Sequence, residues 1–256
     1  MLKLFFLVFL ISHLLGDFYF QSDKLAHMKV EKYKFLLLHS LLYLVVYVTF
    51  ILPFWSFPLF LGAIILAASH YIIDSLKYIL SKKYGDHKAL FFIDQLLHIA
   101  CIFTASVYLT QAGYEVKLLP LITNALSPVI INYESILMWI GLILLLLKPA
   151  NITIMQFTRK YRPMKTNSGS NDNVNEDIST GYDNAGALIG SLERLLIALL
   201  ISVGQYAAIG LVLTAKSVAR YNKIAEDKQF AEYYLLGTLT STLYAILAYF
   251  VIFRLF

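Results

Sequence analysis

The chain has 256 residues, of which 59% are hydrophobic and only 14% charged, with a formal net charge of +5 and a mean hydropathy of +0.69. Soluble domains carry about 25% charge, so this composition excludes an ordinary soluble enzyme, a disordered tail and a nucleic-acid reader built on a dense basic surface. The lone cysteine, Cys101, excludes an intramolecular disulfide and a Cys-rich zinc module.

Long apolar runs define an all-α, polytopic membrane helix bundle. The first run, Leu2–Phe20, is too long for a signal-peptide core, lacks a small-residue cleavage site and is interrupted by His13 and Asp17, so it reads as a retained membrane helix. Nothing suggests lipidation. Further segments lie at Tyr33–Leu52, Phe57–Leu80, Ala89–Thr110, Ser135–Gln156, Ala187–Thr214 and Tyr233–Phe253. Each approaches or exceeds the ~20 residues that cross a ~30 Å hydrocarbon layer. Their leucine-rich, non-alternating pattern points to helices rather than a barrel. Pro53 and Pro58 mark the turn between the second and third.

Lysines and arginines set the orientation. Lys24, Lys29, Lys32 and Lys34 follow helix one; Lys77, Lys82, Lys83 and Lys88 flank the loop after helix three. The connection after helix two has none, and the one after helix four has only Lys117. The positive-inside rule then places the first and third loops in the cytoplasm and the N-terminus outside. Residues 1–130 form a four-helix membrane domain, 131–157 a fifth helix, 158–186 a polar cytoplasmic linker and 187–256 the C-terminal membrane helices with a basic amphipathic stretch. Asp172, Asn173, Asn175 and Asp177 in the linker invite a calcium-loop reading, but their spacing does not fit an EF-hand and the closing glutamate is missing.

The sixth segment conflicts with the charge rule. Arg159–Lys165 precede it and Lys216, Arg220, Lys223 and Lys228 follow it, so both ends look cytoplasmic. Either it is re-entrant, broken near Gly204-Gln205, or the rule fails there; the count is six or seven helices. Glu193 and Arg194 near its start suit structural or interfacial use, Glu193 pairing with Lys216 or Arg220 and Arg194 with Glu232. Gly186 and Gly190 would allow close helix approach.

The chemistry lies in the first four helices. Helix one carries His13 and Asp17, helix two His39, helix three His70 and Asp74, helix four Asp94 and His98. An Asp at the bilayer centre costs about 2.5–3.5 kcal/mol, so such groups are functional candidates by default. His13/Asp17, His70/Asp74 and Asp94/His98 are each four apart and share a helix face. At ~1.5 Å per residue all seven lie roughly 5–15 Å from the cytoplasmic end. Four imidazoles and three carboxylates in one layer suit a divalent transition metal: zinc first, then manganese, iron or nickel. Seven candidates exceed one tetrahedral shell, so two ions, or one ion with supporting Asp–His pairs, would use them. Asp17 and Asp94 are the candidate general bases. Gln21, Lys77 and Gln95 are candidate supporting or substrate-contacting groups. Two other readings stay open: interhelical hydrogen bonds that only fix packing, and a proton or ion pathway.

His13-Leu14-Leu15-Gly16-Asp17-Phe18 with Gln21 and Asp23-Lys24, then Leu38-His39, His70-Tyr71-Ile72-Ile73-Asp74 with Lys77, and Asp94-Gln95-Leu96-Leu97-His98 resemble a family of bacterial integral membrane proteins of unknown function. Gly190-Ser191-Leu192-Glu193-Arg194, Lys216, Arg220, Ala231-Glu232-Tyr233-Tyr234 and Gly237-Thr238 resemble its longer members. The resemblance implies an integral membrane protein and no activity. A looser similarity links the chain to membrane-bound metal-dependent hydrolases, without residue-by-residue alignment, and transfers no catalytic residue.

Three functions follow. The first is a metal-dependent hydrolase acting on a lipidic substrate. No G-x-S-x-G or phosphate-loop motif favours serine or nucleotide hydrolysis. The second is a proton- or cation-coupled transporter using the same groups. The third is a membrane sensor or scaffold. Membrane lipid is the expected partner and nucleic acid is not; a homo-oligomer and a protein partner stay open.

Overall fold

Helix α1 (Leu2–Leu14) is apolar all round, and Leu4 through Leu14 are all buried. A helix without a polar face belongs in an interior, and α1 is the central post of the first half of the chain. The computed structural model describes residues 1–85, 88–126, 132–162 and 176–255, with 125–126 and 176–184 described by backbone alone. Among the described residues there is no strand, and seven helical stretches are long and apolar enough to cross a membrane: Leu2–Tyr19, Tyr33–Phe54, Phe57–Tyr84, Lys88–Gln111, Tyr133–Tyr161, Ala185–Ser202 and Lys228–Phe253. The chain divides into two units, 1–144 and 145–255.

In the first unit, α3 (Tyr33–Ile51) and α5 (Lys88–Gln111) pack on α1, and α4 (Phe57–Tyr84) packs between α3 and α5. Each buries one stripe at helical spacing: Leu36, His39, Tyr43, Tyr47 and Ile51 on α3; Gly62, Leu66, His70 and Asp74 on α4; Asp94, His98, Ile102, Ser106 and Leu109 on α5. Their other faces remain apolar and exposed, as at Leu37, Leu41, Val45, Ile65, Ile72 and Leu96. That pairing of an interior stripe with an apolar exterior is what a helix facing hydrocarbon requires. A short helix α2 (Asp23–Glu31), capped by Ser22 Oγ accepting from Leu25 N, packs on α3 and α4. α6 (Pro120–Leu126) follows α5, and α7 (Tyr133–Leu146) runs to the unit boundary, its Gly141 lying beside Leu7 and Ile11 of α1.

In the second unit, α8 (Lys148–Thr158), α9 (Glu176–Ser202), α10 (Tyr206–Val218), α11 (Tyr221–Glu226) and α12 (Lys228–Phe253) follow in order. α9 begins inside the stretch read from sequence as linker. The fifth segment, expected to be continuous from Ser135 to Gln156, is interrupted at Leu147, because Pro149 has no N–H to offer the Leu145 carbonyl. Tyr244 donates to Leu145 O instead, at 3.4 Å, and Arg194 Nε donates to Leu146 O at 2.7 Å. The sixth segment breaks at the expected place: α9 ends at Ser202, Gly204 takes φ +72°, and α10 begins at Tyr206. α10 folds back along α9, since Lys216 near its end bonds Glu193 in mid-α9. At ~1.5 Å per residue its 13 residues reach only about 20 Å. The chain thus doubles back as far as the middle of α9.

Candidate metal centre

A π-turn brings Asp17 inward. After Leu14 the helix widens over Leu15–Tyr19, with Phe20 N donating to Leu15 O at 2.8 Å. Such single-turn widenings recur at functional sites. Gly16 in this turn faces Tyr43: a Cβ there would lie 2.7 Å from the Tyr43 ring, so a side chain is excluded by the aromatic beneath it.

All seven residues expected from sequence meet in one buried layer: His13, Asp17, His39, His70, Asp74, Asp94 and His98 are each buried. His39 Nε2 lies 3.1 Å from His70 Nε2, and His70 Nδ1 lies 3.3 Å from His98 Nδ1; each pair shares a hydrogen bond. His39 Nε2 is also 3.3 Å from Asp17 Oδ1. His13 Nδ1 and the Tyr43 hydroxyl share a hydrogen bond of 3.1 Å, and the Tyr43 ring stacks on His70 with centroids 3.7 Å apart and planes within 4°. Two three-residue groups bring ligand atoms within metal-binding reach, Asp17–His39–His70 and His70–Asp74–His98.

The two corners differ. At the first, Lys29 of α2 donates to Asp74 Oδ2 at 3.0 Å and approaches Asp17 Oδ1 at 3.5 Å. Burial would push this ammonium down, but Asp74 and Asp17 beside it hold it above the ordinary lysine value. At the second, His98 Nε2 lies 3.3 Å from Asp94 Oδ1 and 3.7 Å from Asp74 Oδ1. These three buried atoms meet one another only in these ion-pair contacts and make no hydrogen bond of ordinary geometry. Orphaned buried polar atoms are rare and call for an explanation. Two ligands at ~2.0–2.1 Å from a tetrahedral zinc lie roughly 3.3–3.4 Å apart, close to the observed spacing. The tautomer of His98 that donates Nδ1–H to His70 would present its Nε2 lone pair, as a metal ligand must. The donor set that could hold a divalent metal at this corner is His70, Asp74 and His98, with the Asp94 carboxylate 3.3 Å from His98 beside them.

The supporting residues fall into place unevenly. Lys77 donates to Asp94 Oδ2 at 2.9 Å, and the Gln95 amide bridges Asp17 Oδ2 at 3.0 Å and Asp94 Oδ2 at 3.2 Å. Gln21 does not continue the helix-one face, because the helix has already ended at Tyr19. Lys29 and Tyr43 were not among the expected site residues. Leu25 and Lys29 share a face of α2, and His39, Tyr43 and Tyr47 recur every four residues, so both signals were present in the sequence.

The second unit arranges its charges otherwise. Glu193 bonds Lys216 as one of the expected pairings, and Arg220 and Lys216 lie over the Tyr234 ring at 5.8 and 5.6 Å. Arg194 does not pair with Glu232, which is exposed. It is buried and donates to Leu146 O, Asn151 Oδ1, Ser191 Oγ and Ser241 Oγ, because the interrupted fifth segment leaves a carbonyl to fill. Asp172, Asn173 and Asn175, Lys165 and His87 lie outside the described residues, as does the side chain of Asp177.

Fold and site together define a membrane-type helical protein with buried His/Asp groups able to hold a metal ion. Residues 5–125, the segment that builds this site, match DUF3307, a family described as a protein of unknown function. No curated protein and no solved structure matches the chain.

Proposed function

We propose that the first unit binds one divalent transition metal, zinc foremost, and hydrolyses a lipidic substrate at the cytoplasmic face of a bacterial inner membrane. The observation that supports this reading is the buried His70–Asp74–His98 group, whose ligand atoms lie within 4.8 Å of one another. Lys29 already takes up Asp17 Oδ1 and Asp74 Oδ2, the carboxylate oxygens beside His39, which favours one ion over two. A bound zinc supplies a Lewis acid and a water acidified toward pKa ~7. Asp17, outside the proposed ligand trio, is the carboxylate left to accept the proton of that water, and Gln95 holds it against Asp94. His70 orients His98, and Tyr43 fixes His70 by stacking.

The test pairs metal content with a hydrolysis screen on short-chain lipid esters. Zinc-loaded protein should cleave a member of that set, and Asp17→Asn should retain zinc while losing about 100-fold or more in rate. Full zinc occupancy with no turnover of any lipid ester would remove the hydrolase and leave the metal site.

A proton- or cation-translocating reading rests on its own observation: His39, His70 and His98 form a continuous imidazole chain through both nitrogens of His70. Such chains carry protons in pumps and transporters. Proteoliposome flux abolished by His70→Gln would favour it over hydrolysis.

A further inference from the structure

Between α4 and α5 lies a cavity of about 590 Å³, lined by α4 from Phe57 to Ser69 and by α5 from Leu97 to Leu109. It forms because the facing strip of α5 is thin. Ala100, Cys101, Thr104 and Ala105 recur at i, i+1, i+4 and i+5, so short side chains stack along one side of the helix. Gly62 thins α4 in the same space. The longer Leu61, Ile65, Leu97 and Tyr108 also line it and are all exposed, so the cavity is a groove that opens outward. Both helices belong to membrane-type spans, and the outward side of such a span is hydrocarbon.

The lining chemistry narrows the guest. No lining residue is charged. Ser69 Oγ donates to Leu66 O and Thr104 Oγ1 donates to Ala100 O, so both hydroxyl protons are taken by their own helices. The Cys101 thiol is a weak donor, and Tyr108 and Tyr114 lie at the end away from the His/Asp layer. Nothing along the groove grips an ion or a polar headgroup. Its shape narrows the guest further. From Phe57 to Ser69 the wall rises ~18 Å, which gives the groove a mean cross-section of ~33 Å². An α-helix ~10 Å wide needs ~80 Å². A methylene chain with neighbours ~4.5 Å away needs ~20 Å², so one chain fits and two do not. The walls also expose far less than the ~1,000 Å² that a stable protein partner buries. We infer that this groove holds one hydrocarbon chain of a membrane lipid. The inference stands apart from the metal reading, because no residue of the His/Asp layer lines the groove.

The probe is a phosphatidylcholine with a photoreactive diazirine in mid-chain, diluted into dioleoylphosphatidylcholine vesicles that carry the full-length protein. After illumination, mass spectrometry reads the label residue by residue. The exposed face of α3 at Leu41 and Val45 is the reference for lipid that only surrounds the protein. Labelling at Ala100, Cys101, Thr104 and Ala105 should saturate and exceed the reference about 10-fold, the preference that some ten extra dispersion contacts give. Ala105→Phe fills the groove and should bring the two faces level while labelling of α3 stays unchanged. Ala100→Phe fills the same space and replaces it if Ala105→Phe does not fold. Equal labelling of the two faces in the wild type, or an excess that survives the filling variant, overturns the inference. So does a groove left unlabelled while α3 is labelled; a wild-type dimer on chemical cross-linking then gives the groove to a second copy of the chain.

Discussion

Each unit buries charge, and the two do it to opposite ends. Arg194 in the second unit spends its donors on Leu146 O, Asn151 Oδ1, Ser191 Oγ and Ser241 Oγ; its cation is a patch for a helix that Pro149 interrupts. The first unit packs three carboxylates and four imidazoles, and at one corner His98 Nε2, Asp74 Oδ1 and Asp94 Oδ1 meet only in ion-pair contacts without ordinary hydrogen bonds. In the second unit the open atoms, Glu193 Oε1 and Tyr234 Oη, involve a carboxylate already bonded to Lys216 and a lone hydroxyl, and bring no imidazole. Buried polarity that closes on itself serves the fold. Buried carboxylates and imidazoles gathered at one corner could hold a metal ion.

The sharpest way to break this contrast is at Arg194. Arg194→Ala strips donors from buried acceptors at a helix break and should cost about 3 kcal/mol or more in stability, read by denaturant unfolding in detergent, while metal content per folded chain stays unchanged. Loss of metal in this variant would erase the division of labour. The converse experiment adds metal. Zinc at about 100 times its Kd should stabilise the protein by about 2.7 kcal/mol, seen as a rise in Tm that chelator reverses and Asp94→Asn removes. A zinc-dependent rise that survives Asp94→Asn would move the ion away from the open corner. A smaller effect belongs to Gly16. Gly16→Ala must push Tyr43 off His70 and should cost about 1–3 kcal/mol by overpacking, with weakened zinc retention as the accompanying sign; unaltered stability would mean that the turn relaxes freely.

Much of this was readable from one sequence. The four-residue spacing within His13/Asp17, His70/Asp74 and Asp94/His98, set on apolar helices of alternating direction, is enough to place seven side chains in one layer, and the structure brings all seven together. The clash between positive-inside charges and the sixth segment left two readings open, one of them a break near Gly204-Gln205, and the helix does end there. What escaped depends on contacts between elements. Lys29 counted as one more loop lysine until the packing of α2 on α3 and α4 aimed it at Asp74. Tyr43 looked like ordinary apolar filling until the spacing of α1, α3 and α4 set it between His13 and His70. Arg194 could not be assigned from charge complementarity, because its partners are carbonyl, amide and hydroxyl oxygens freed by the break at Leu147. Charge pattern reveals where a cation is needed against an anion; it is silent where the acceptor is backbone.

The central claim is that the open corner of the first unit holds a metal and the closed network of the second does not. Elemental mass spectrometry on untagged protein, purified in detergent without chelator and reconstituted with zinc, tests it most directly. The account predicts about one ion per chain in the wild type, essentially none in His98→Ala, and one retained in Arg194→Met. Wild-type protein that carries no ion after reconstitution with zinc, manganese, iron and nickel, or a His98→Ala protein that keeps its full complement, would contradict it.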